Sequence, residues 1–343
     1  MWQLPERGGH GTWEGSRQES MDYTHLGRTG LSVSRAILGT MNFGPQTTED
    51  DSHAIMDKAH ESGINFFDTA NVYGGKKGEG VTEQIVGRWF AKGGGRREKT
   101  VLATKLYGDM GDWPNESKLS ALNIRRAIDA SLIRLQTDHI DLIQFHHIDR
   151  ATPWEEIWQA LEVAVAQGKV IYVGSSNFAG WHIAQAQEAA KSRHFTGLVS
   201  EQSIYNLIKR EVELEVIPAA INYGLGVIPW SPLNGGLLGG VIGKEQEGKR
   251  RLEGRSKEYV DGHRDQLEAY ENLAKELGHA PGELALAWLL HQPGVTGPIT
   301  GPRTMEQLDS AVASVDIKID QDALDKLDAL FPGHKPAPED YAW

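Results

Sequence analysis

The 343-residue chain contains no cysteine, which removes disulfide scaffolds, thiolate metal sites, iron–sulfur clusters and cysteine nucleophiles together. It also lacks a long hydrophobic run. The longest of note, residues 284–290, is far short of the ~18 residues a membrane span needs. The N-terminus has no charged-then-apolar layout of a signal peptide, so the expectation is a cytoplasmic protein with no membrane partner. Basic residues are in deficit, 35 Lys and Arg against 47 Asp and Glu, and the net charge of −12 repels phosphate backbones. No nucleic-acid partner is expected. The one basic cluster, Lys249-Arg250-Arg251, is flanked by Glu245, Glu247 and Glu253 and reads as a solvated loop. A Gly-x-Gly-x-x-Gly fingerprint is absent throughout, which weakens an open dinucleotide-binding sheet.

What remains suits a globular α/β chain, 39% apolar and 24% charged. Residues 1–20 are Gly-, Glu- and Arg-rich without apolar periodicity and read as a disordered or appended extension, so that Met21 opens one patterned domain over 21–343. Eight short β-type runs are expected at 36–39, 65–68, 101–104, 140–144, 170–174, 198–201, 226–229 and 296–300. Helical patterns fall between them at about 49–62, 79–92, 118–136, 153–166, 180–191, 210–223, 264–278 and 303–313. Eight βα units without a change of composition fit a closed (β/α)8 barrel. Two segments stand outside the plan. Residues 23–25 and 32–34 flank Gly27-Arg28-Thr29-Gly30 and read as a hairpin that plugs the barrel floor, while 234–262 reads as a long loop after strand seven.

Reactive groups of such a barrel lie at the C-terminal ends of its strands. Here strand two ends in Asp68, followed by Tyr73; strand three runs into Lys105; strand four ends in Gln144 and His146. Each alone has an ordinary reading as a cap, a loop aromatic, a snorkelling lysine or a rim histidine. Together they form a proton-donating device. A Tyr73 hydroxyl beside the Lys105 ammonium is expected to have a lowered pKa, Asp68 would keep Lys105 charged, and His146 would hydrogen-bond a carbonyl oxygen. Reduction also needs a hydride donor, and without cysteine or a metal motif that donor is organic. Ser176, Asn177 and Gln202 offer amide-binding groups, Trp230 a flat face, and Arg303 a cation at the start of the last helix. A metal site built on His146, His147 and Asp149 is disfavoured, because neighbouring strand residues point to opposite faces.

These residues resemble the aldo-keto reductase superfamily over nearly the whole chain from Met21 onward. Asp68-Thr69-Ala70-Asn71-Val72-Tyr73 is similar to its D-T-A-x-x-Y, Ala103-Thr104-Lys105 to the lysine strand, and Asp141-Leu142-Ile143-Gln144-Phe145-His146 to D-L-x-Q-x-H. Gly174-Ser175-Ser176-Asn177-Phe178, Trp230-Ser231-Pro232-Leu233 and Gly301-Pro302-Arg303 continue the match. The resemblance implies NADPH-dependent reduction of a small-molecule aldehyde or ketone, with Tyr73, Asp68, Lys105 and His146 as catalytic residues and NADPH/NADP+ as cofactor. It further implies that Ser176, Asn177 and Gln202 hold the carboxamide, that Trp230 stacks on the nicotinamide, that Gly39, Thr40 and Met41 line its ribose, and that Asp68 also belongs to the cofactor site. Ser231, Pro232, Leu233 and Gly235 would wrap the pyrophosphate, and Arg255, Gly301, Arg303 and Gln307 would approach the adenosine and its 2′-phosphate. Relatives that share the Trp-Ser-Pro-Leu run often carry a lysine directly after the Leu-Leu-x-Gly turn, where this chain has Val241 and places Lys244 three residues on.

Trp230 in place of a tyrosine points to the branch with potassium-channel beta subunits, bacterial aldehyde reductases and deoxysugar reductases. The substrate wall is expected to involve Phe43, Tyr73, Trp113, His146, His147 and the C-terminal segment ending in Tyr341-Ala342-Trp343. Two further expectations follow from the branch: reduction of a nucleotide-activated keto-deoxysugar, and a cofactor-bound regulatory subunit. Monomer and homo-oligomer are equally compatible with the sequence.

Overall fold

The computed structural model of the protein describes residues 21–247 and 253–342, the side chain of Arg255 excepted. The extension at 1–20, the basic cluster Lys249-Arg250-Arg251, Trp343 and the contact expected of the Arg255 side chain therefore lie outside the described residues. A two-stranded antiparallel hairpin, β1 (Tyr23–His25) and β2 (Ser32–Ser34), leads into eight strands. These are β3 (Ile37–Gly39), β4 (Phe66–Asp68), β5 (Val101–Leu106), β6 (Ile140–Phe145), β7 (Val170–Ser176), β8 (Leu198–Gln202), β9 (Gly226–Val227) and β10 (Ile299–Thr300). All neighbours pair in parallel in the order β10-β3-β4-β5-β6-β7-β8-β9. The sheet's ends meet where Thr296 N–H and Ile299 N–H donate to Val227 O and Pro229 O, each at 2.8 Å. The fold is the (β/α)8 barrel that the eight runs predict.

The alternation of side chains along each strand divides the core in two. Leu38, Phe67 and Leu102 point outward beneath α1 (Glu49–Glu61) and α2 (Val81–Ala91), where Ile55, Met56, Ile85 and Trp89 cover them. Ile143, Phe145 and Val173 point outward beneath α3 (Ala121–Leu135), α4 (Trp154–Ala166) and α5 (Gly180–Ser192). Ile37, Phe66, Ala103, Leu142, Val199, Ile228 and Ile299 point inward and fill the lower barrel, joined by Leu26 and Val33 of the hairpin. The hairpin is thus the floor plug that its position suggests. Gly27 makes the close approach possible: at φ +55° it is left-handed, and a Cβ there would lie 2.4 Å from Gly224 O and 2.8 Å from Val199 O.

Several helix starts carry the side-chain caps that their sequences announce. Thr48 Oγ1 accepts from Asp51 N–H at 3.2 Å at the head of α1, and Ser120 Oγ from Asn123 N–H at 3.3 Å at the head of α3. The expected loop at 234–262 needs correction. It contains α7 (Val241–Gln246), and α8 (Gly254–Glu276) begins within it, bending at His263 where the sequence pattern sets a boundary. Leu237, Val241, Ile242, Val260 and Leu267 form a small core of their own that accounts for this order. Between α8 and α10 (Met305–Ala313) lies α9 (Pro281–Leu290), which the sequence reading passes over; Leu284 to Leu290 are all buried, so no amphipathic period marks them. After α6 (Val216–Tyr223) as the sixth barrel helix, α11 (Gln321–Leu330) and the short α12 (Glu339–Ala342) complete the chain. Among the described residues no helix is long and apolar enough to cross a membrane, and no cluster of potential metal ligands occurs.

Candidate active site

Above the apolar floor the inward positions turn polar. Gly39, Asp68, Lys105, Gln144 and Ser176 stand one strand apart at the C-terminal ends of β3 to β7, each an even number of residues beyond an inward apolar or small residue of its strand. On β8 the same parity fails without an irregularity. Gly174 pairs with Ser200 while Val173 pairs with Leu198, so Val199 is an extra residue and the faces exchange beyond it. Ser200 and Gln202 therefore point inward and Glu201 outward. Gly174 provides room for this, since a Cβ there would lie 2.4 Å from Ser200 Oγ.

Lys105 is wholly buried, and its ammonium donates to Asp68 Oδ2 at 2.6 Å, to Thr69 O at 2.9 Å and to Tyr73 Oη at 3.3 Å. All three of its protons are thereby placed. The Tyr73 oxygen is an acceptor in this arrangement, and its own hydrogen is left to donate elsewhere. Asp68 Oδ1 accepts from both Gln144 Nε2 and Gln202 Nε2 at 2.9 Å, so the carboxylate opposite Lys105 is fixed from three strands. The His146 ring meets Tyr73 edge-on, with centroids 5.8 Å apart at 81°. The four expected catalytic residues lie together in one cluster.

Electrostatics of the group follow from its burial. Burial alone would press the Lys105 pKa down, but the charge and hydrogen bonds of Asp68 and Tyr73 together outweigh it and hold the ammonium above the ordinary lysine value. The lowered tyrosine pKa expected from the sequence is corrected: burial raises it, and the charge of Lys105 offsets only part of that rise. Tyr73 is consequently a hydroxyl at neutral pH. Burial, reinforced by the Lys105 charge, lowers His146 to about 4, so its ring is neutral at physiological pH. Its folded value lies below the ordinary 6.5, and the unfolded chain takes up the proton first. His146 thus costs no stability above the unfolded value and removes it as pH falls from there towards about 4. Thermal melts of His146→Gln should show a smaller loss of Tm than the parent over that window; an unchanged slope would contradict neutral burial.

The amide-binding residues meet at the mouth. Asn177, left-handed at φ 59°, donates through Nδ2 to His146 O at 3.2 Å and Ser176 Oγ at 3.0 Å, and accepts from Trp230 Nε1 at 3.1 Å. The two hydrogens of Gln202 Nε2 go to Asp68 Oδ1 and, at 3.0 Å, to Gln144 Oε1. Its carbonyl oxygen has no protein donor among the described residues. A primary carboxamide complements this set: the Ser176 hydroxyl can donate to its oxygen and Gln202 Oε1 can accept from its nitrogen. Trp230 is half-buried beside them, Thr40 is buried with its N–H and hydroxyl both on Asp68 O at 3.0 Å, and Met41 is 60% exposed. Further out, Ser231, Asn234 and Gly235 are all left-handed, turning the chain sharply around Pro232 and Leu233. Lys244 folds back so that Nζ donates to Gly239 O at 2.6 Å, which returns a cation to the turn that Val241 leaves without one. Arg303 N–H donates to Gln307 Oε1 at 2.8 Å, its guanidinium reaches Gln46 at 3.2 Å, and Asn42 Nδ2 ties Gly301 O at 2.7 Å. Arg303 and Asn42 thus tie together the segments that follow β10 and β3. A nicotinamide dinucleotide fits this donor set.

One member of the expected substrate wall needs correction. Phe43 does not line it: the ring is fully buried in the core with Ile85 and Val86, and its carbonyl accepts from Thr82 Oγ1 at 2.8 Å. Trp113 is 78% exposed on a loop pinned by Glu116, and Tyr341 is 75% exposed. The C-terminal segment instead docks through Ala337 N–H on Leu214 O at 2.8 Å and His334 N–H on Glu213 Oε2 at 2.8 Å. His147 is exposed at the mouth, where Tyr107 packs on it with centroids 5.4 Å apart. Tyr107 carries a strained φ of 139°, and nothing in the sequence around it signals that role. Gln144 stands at a strand end in the sequence, but its grip on Asp68 appears only once three strands are side by side.

Comparison with known proteins agrees with this geometry. The model of the aldo/keto reductase family matches residues 35–331. The chain is 54% identical over 328 residues to the uncharacterized oxidoreductase YrpG of Bacillus subtilis, covering 94% of this chain and 100% of that one. It is 33% identical to the versiconal hemiacetal acetate reductase of Aspergillus parasiticus, over 92% of this chain and 100% of the relative. It is 32% identical to a probable voltage-gated potassium channel subunit beta of Oryza sativa subsp. japonica, over 94% and 100%.

Proposed function

The chain belongs to the aldo/keto reductase family, and from that premise we propose that it reduces an aldehyde or ketone to the alcohol with NADPH as hydride donor. The observation that carries the proposal is the placement of all three Lys105 protons, which leaves the Tyr73 hydrogen free to meet a carbonyl oxygen. A nicotinamide held by these residues would supply the hydride that the protein itself cannot. The chain's own residues do the rest. Trp230 offers a face for the ring, Ser176, Asn177 and Gln202 orient the carboxamide, and neutral His146 donates to the substrate oxygen. As the carbonyl carbon gains hydride, the oxygen takes the Tyr73 proton, and the phenolate left behind is stabilised by the Lys105 ammonium. The raised tyrosine pKa suits this order, because the proton stays on Tyr73 until the more basic alkoxide forms.

NADPH is favoured over NADH by Arg303, an exposed cation at the head of α10 with only an amide partner among the described residues. Titration of tryptophan fluorescence should show saturable quenching by NADPH and weaker quenching by NADH. Arg303→Ala should weaken NADPH by about tenfold with little effect on NADH, and Trp230→Ala should weaken both. No response to either nucleotide, confirmed by calorimetry, would contradict the assignment.

A further inference from the structure

Glu201 is a fully buried carboxyl to which the chemistry above gives no part. It follows the bulge at Val199 and so faces away from the barrel axis, back to back with Gln202. Strand register sets Ser175 opposite Glu201 and Ser176 opposite Gln202, so the inward pair serves the pocket and the outward pair lies directly behind it. Ser175 Oγ donates to Glu201 Oε2. Ser203 Oγ donates to Oε1 at 2.6 Å, and Phe178 N–H to the same oxygen at 3.1 Å. These three donors are the chain neighbours of Ser176, Gln202 and Asn177 respectively.

We propose that Glu201 is the positioning residue of the carboxamide site, one carboxyl that clamps from behind the three backbone segments carrying Ser176, Asn177 and Gln202. The clamp is most needed at Asn177. That residue is left-handed at φ 59°, a conformation that asparagine tolerates better than other side-chain-bearing residues but that still confines the turn, and the Phe178 N–H bond to Glu201 holds the chain immediately after it. Asn177 in turn receives the Trp230 indole, so loosening of the turn reaches the stacking face as well. Among the described residues no cation pairs with Glu201, and burial raises its pKa to about 7 against the pull of Ser175, Ser203 and the backbone N–H groups of Phe178 and Asn177. Protonation does not dissolve the clamp. Ser175 Oγ also lies 3.3 Å from Ser200 O, so it can turn its hydrogen there and accept one from the carboxylic acid while Ser203 and Phe178 keep their bonds. Glutamine can reproduce that second arrangement, and methionine can reproduce neither.

The inference rests on the NADPH reading, and its test separates the two. Binding of NADPH and of adenosine 2′,5′-bisphosphate, which lacks the nicotinamide half, is measured by calorimetry on the parent, Glu201→Gln, Glu201→Met and Ser203→Ala, with tryptophan emission recorded in parallel. Glu201→Gln should bind NADPH within about twofold of the parent. Glu201→Met should bind it about tenfold more weakly, and Ser203→Ala about threefold, while the bisphosphate is unaffected and the emission shifts in the ligand-free protein. Ser203→Ala supplies the answer if Glu201→Met does not fold. Equal losses for both ligands, or no loss in either variant, would overturn the role of Glu201 with the cofactor reading intact. Failure of the parent to bind either ligand would overturn the cofactor reading itself.

Discussion

Replacing Tyr73 by phenylalanine should lower kcat by about a thousandfold for every carbonyl the protein accepts, within the range general acids typically supply. The variant keeps the ring against His146 and removes only the oxygen that accepts from Lys105 at 3.3 Å. NADPH affinity should therefore stay within about twofold of the parent, because among the described residues the Tyr73 hydroxyl is hydrogen-bonded to Lys105 and not to the carboxamide residues. The paired measurement is steady-state turnover over a panel of aldehydes and ketones together with calorimetric Kd. Unchanged turnover, or a parallel loss of cofactor binding, would remove Tyr73 as the acid.

Asp68→Asn should destabilise the fold by about 3–5 kcal/mol at neutral pH, since it leaves the wholly buried Lys105 ammonium without its counter-charge. The amide oxygen at position 68 can still accept from Gln144 and Gln202, so the loss falls on the ion pair and not on that network. The pH dependence separates this from a packing defect. In the parent, the Lys105 pKa is raised, so its contribution to stability is fully present below the ordinary lysine value and is lost only as pH rises through the folded one. In the variant the ammonium has only Thr69 O and Tyr73 Oη as partners, its pKa drops, and the gap in Tm from the parent should narrow as pH rises from about 7 to about 9.5. A constant gap would point to lost packing, and no gap would contradict the buried pair.

The barrel was legible in the sequence because most strands are short apolar runs with a polar residue at or just past the end, and most helices carry a cap or an apolar stripe. The tetrad was legible for the same reason, as Asp68, Lys105 and His146 sit at or just past strand ends. What stayed hidden depends on contacts between distant segments. Parity along β8 reads wrongly until the bulge at Val199 is seen, and with it the opposite facing of Glu201 and Gln202. Whether Tyr73 is a phenol or a phenolate turns on how far burial exceeds the pull of Lys105, which spacing cannot weigh. α9 escaped because all seven of Leu284 to Leu290 are buried, and Phe43 was misplaced because an aromatic after a strand end can turn down into the core as readily as up to the mouth.

The most direct test of hydride transfer paired with tyrosine acid catalysis follows the isotope. The protein is incubated with NADPH deuterated at C4 of the nicotinamide and with the best carbonyl of the panel, and the alcohol is analysed by mass spectrometry. The expected alcohol carries one deuterium on its carbinol carbon, formed rapidly by the parent and about a thousandfold more slowly by Tyr73→Phe. An alcohol with no deuterium from the cofactor, or no alcohol from any carbonyl despite saturating NADPH binding, would contradict the proposed reaction.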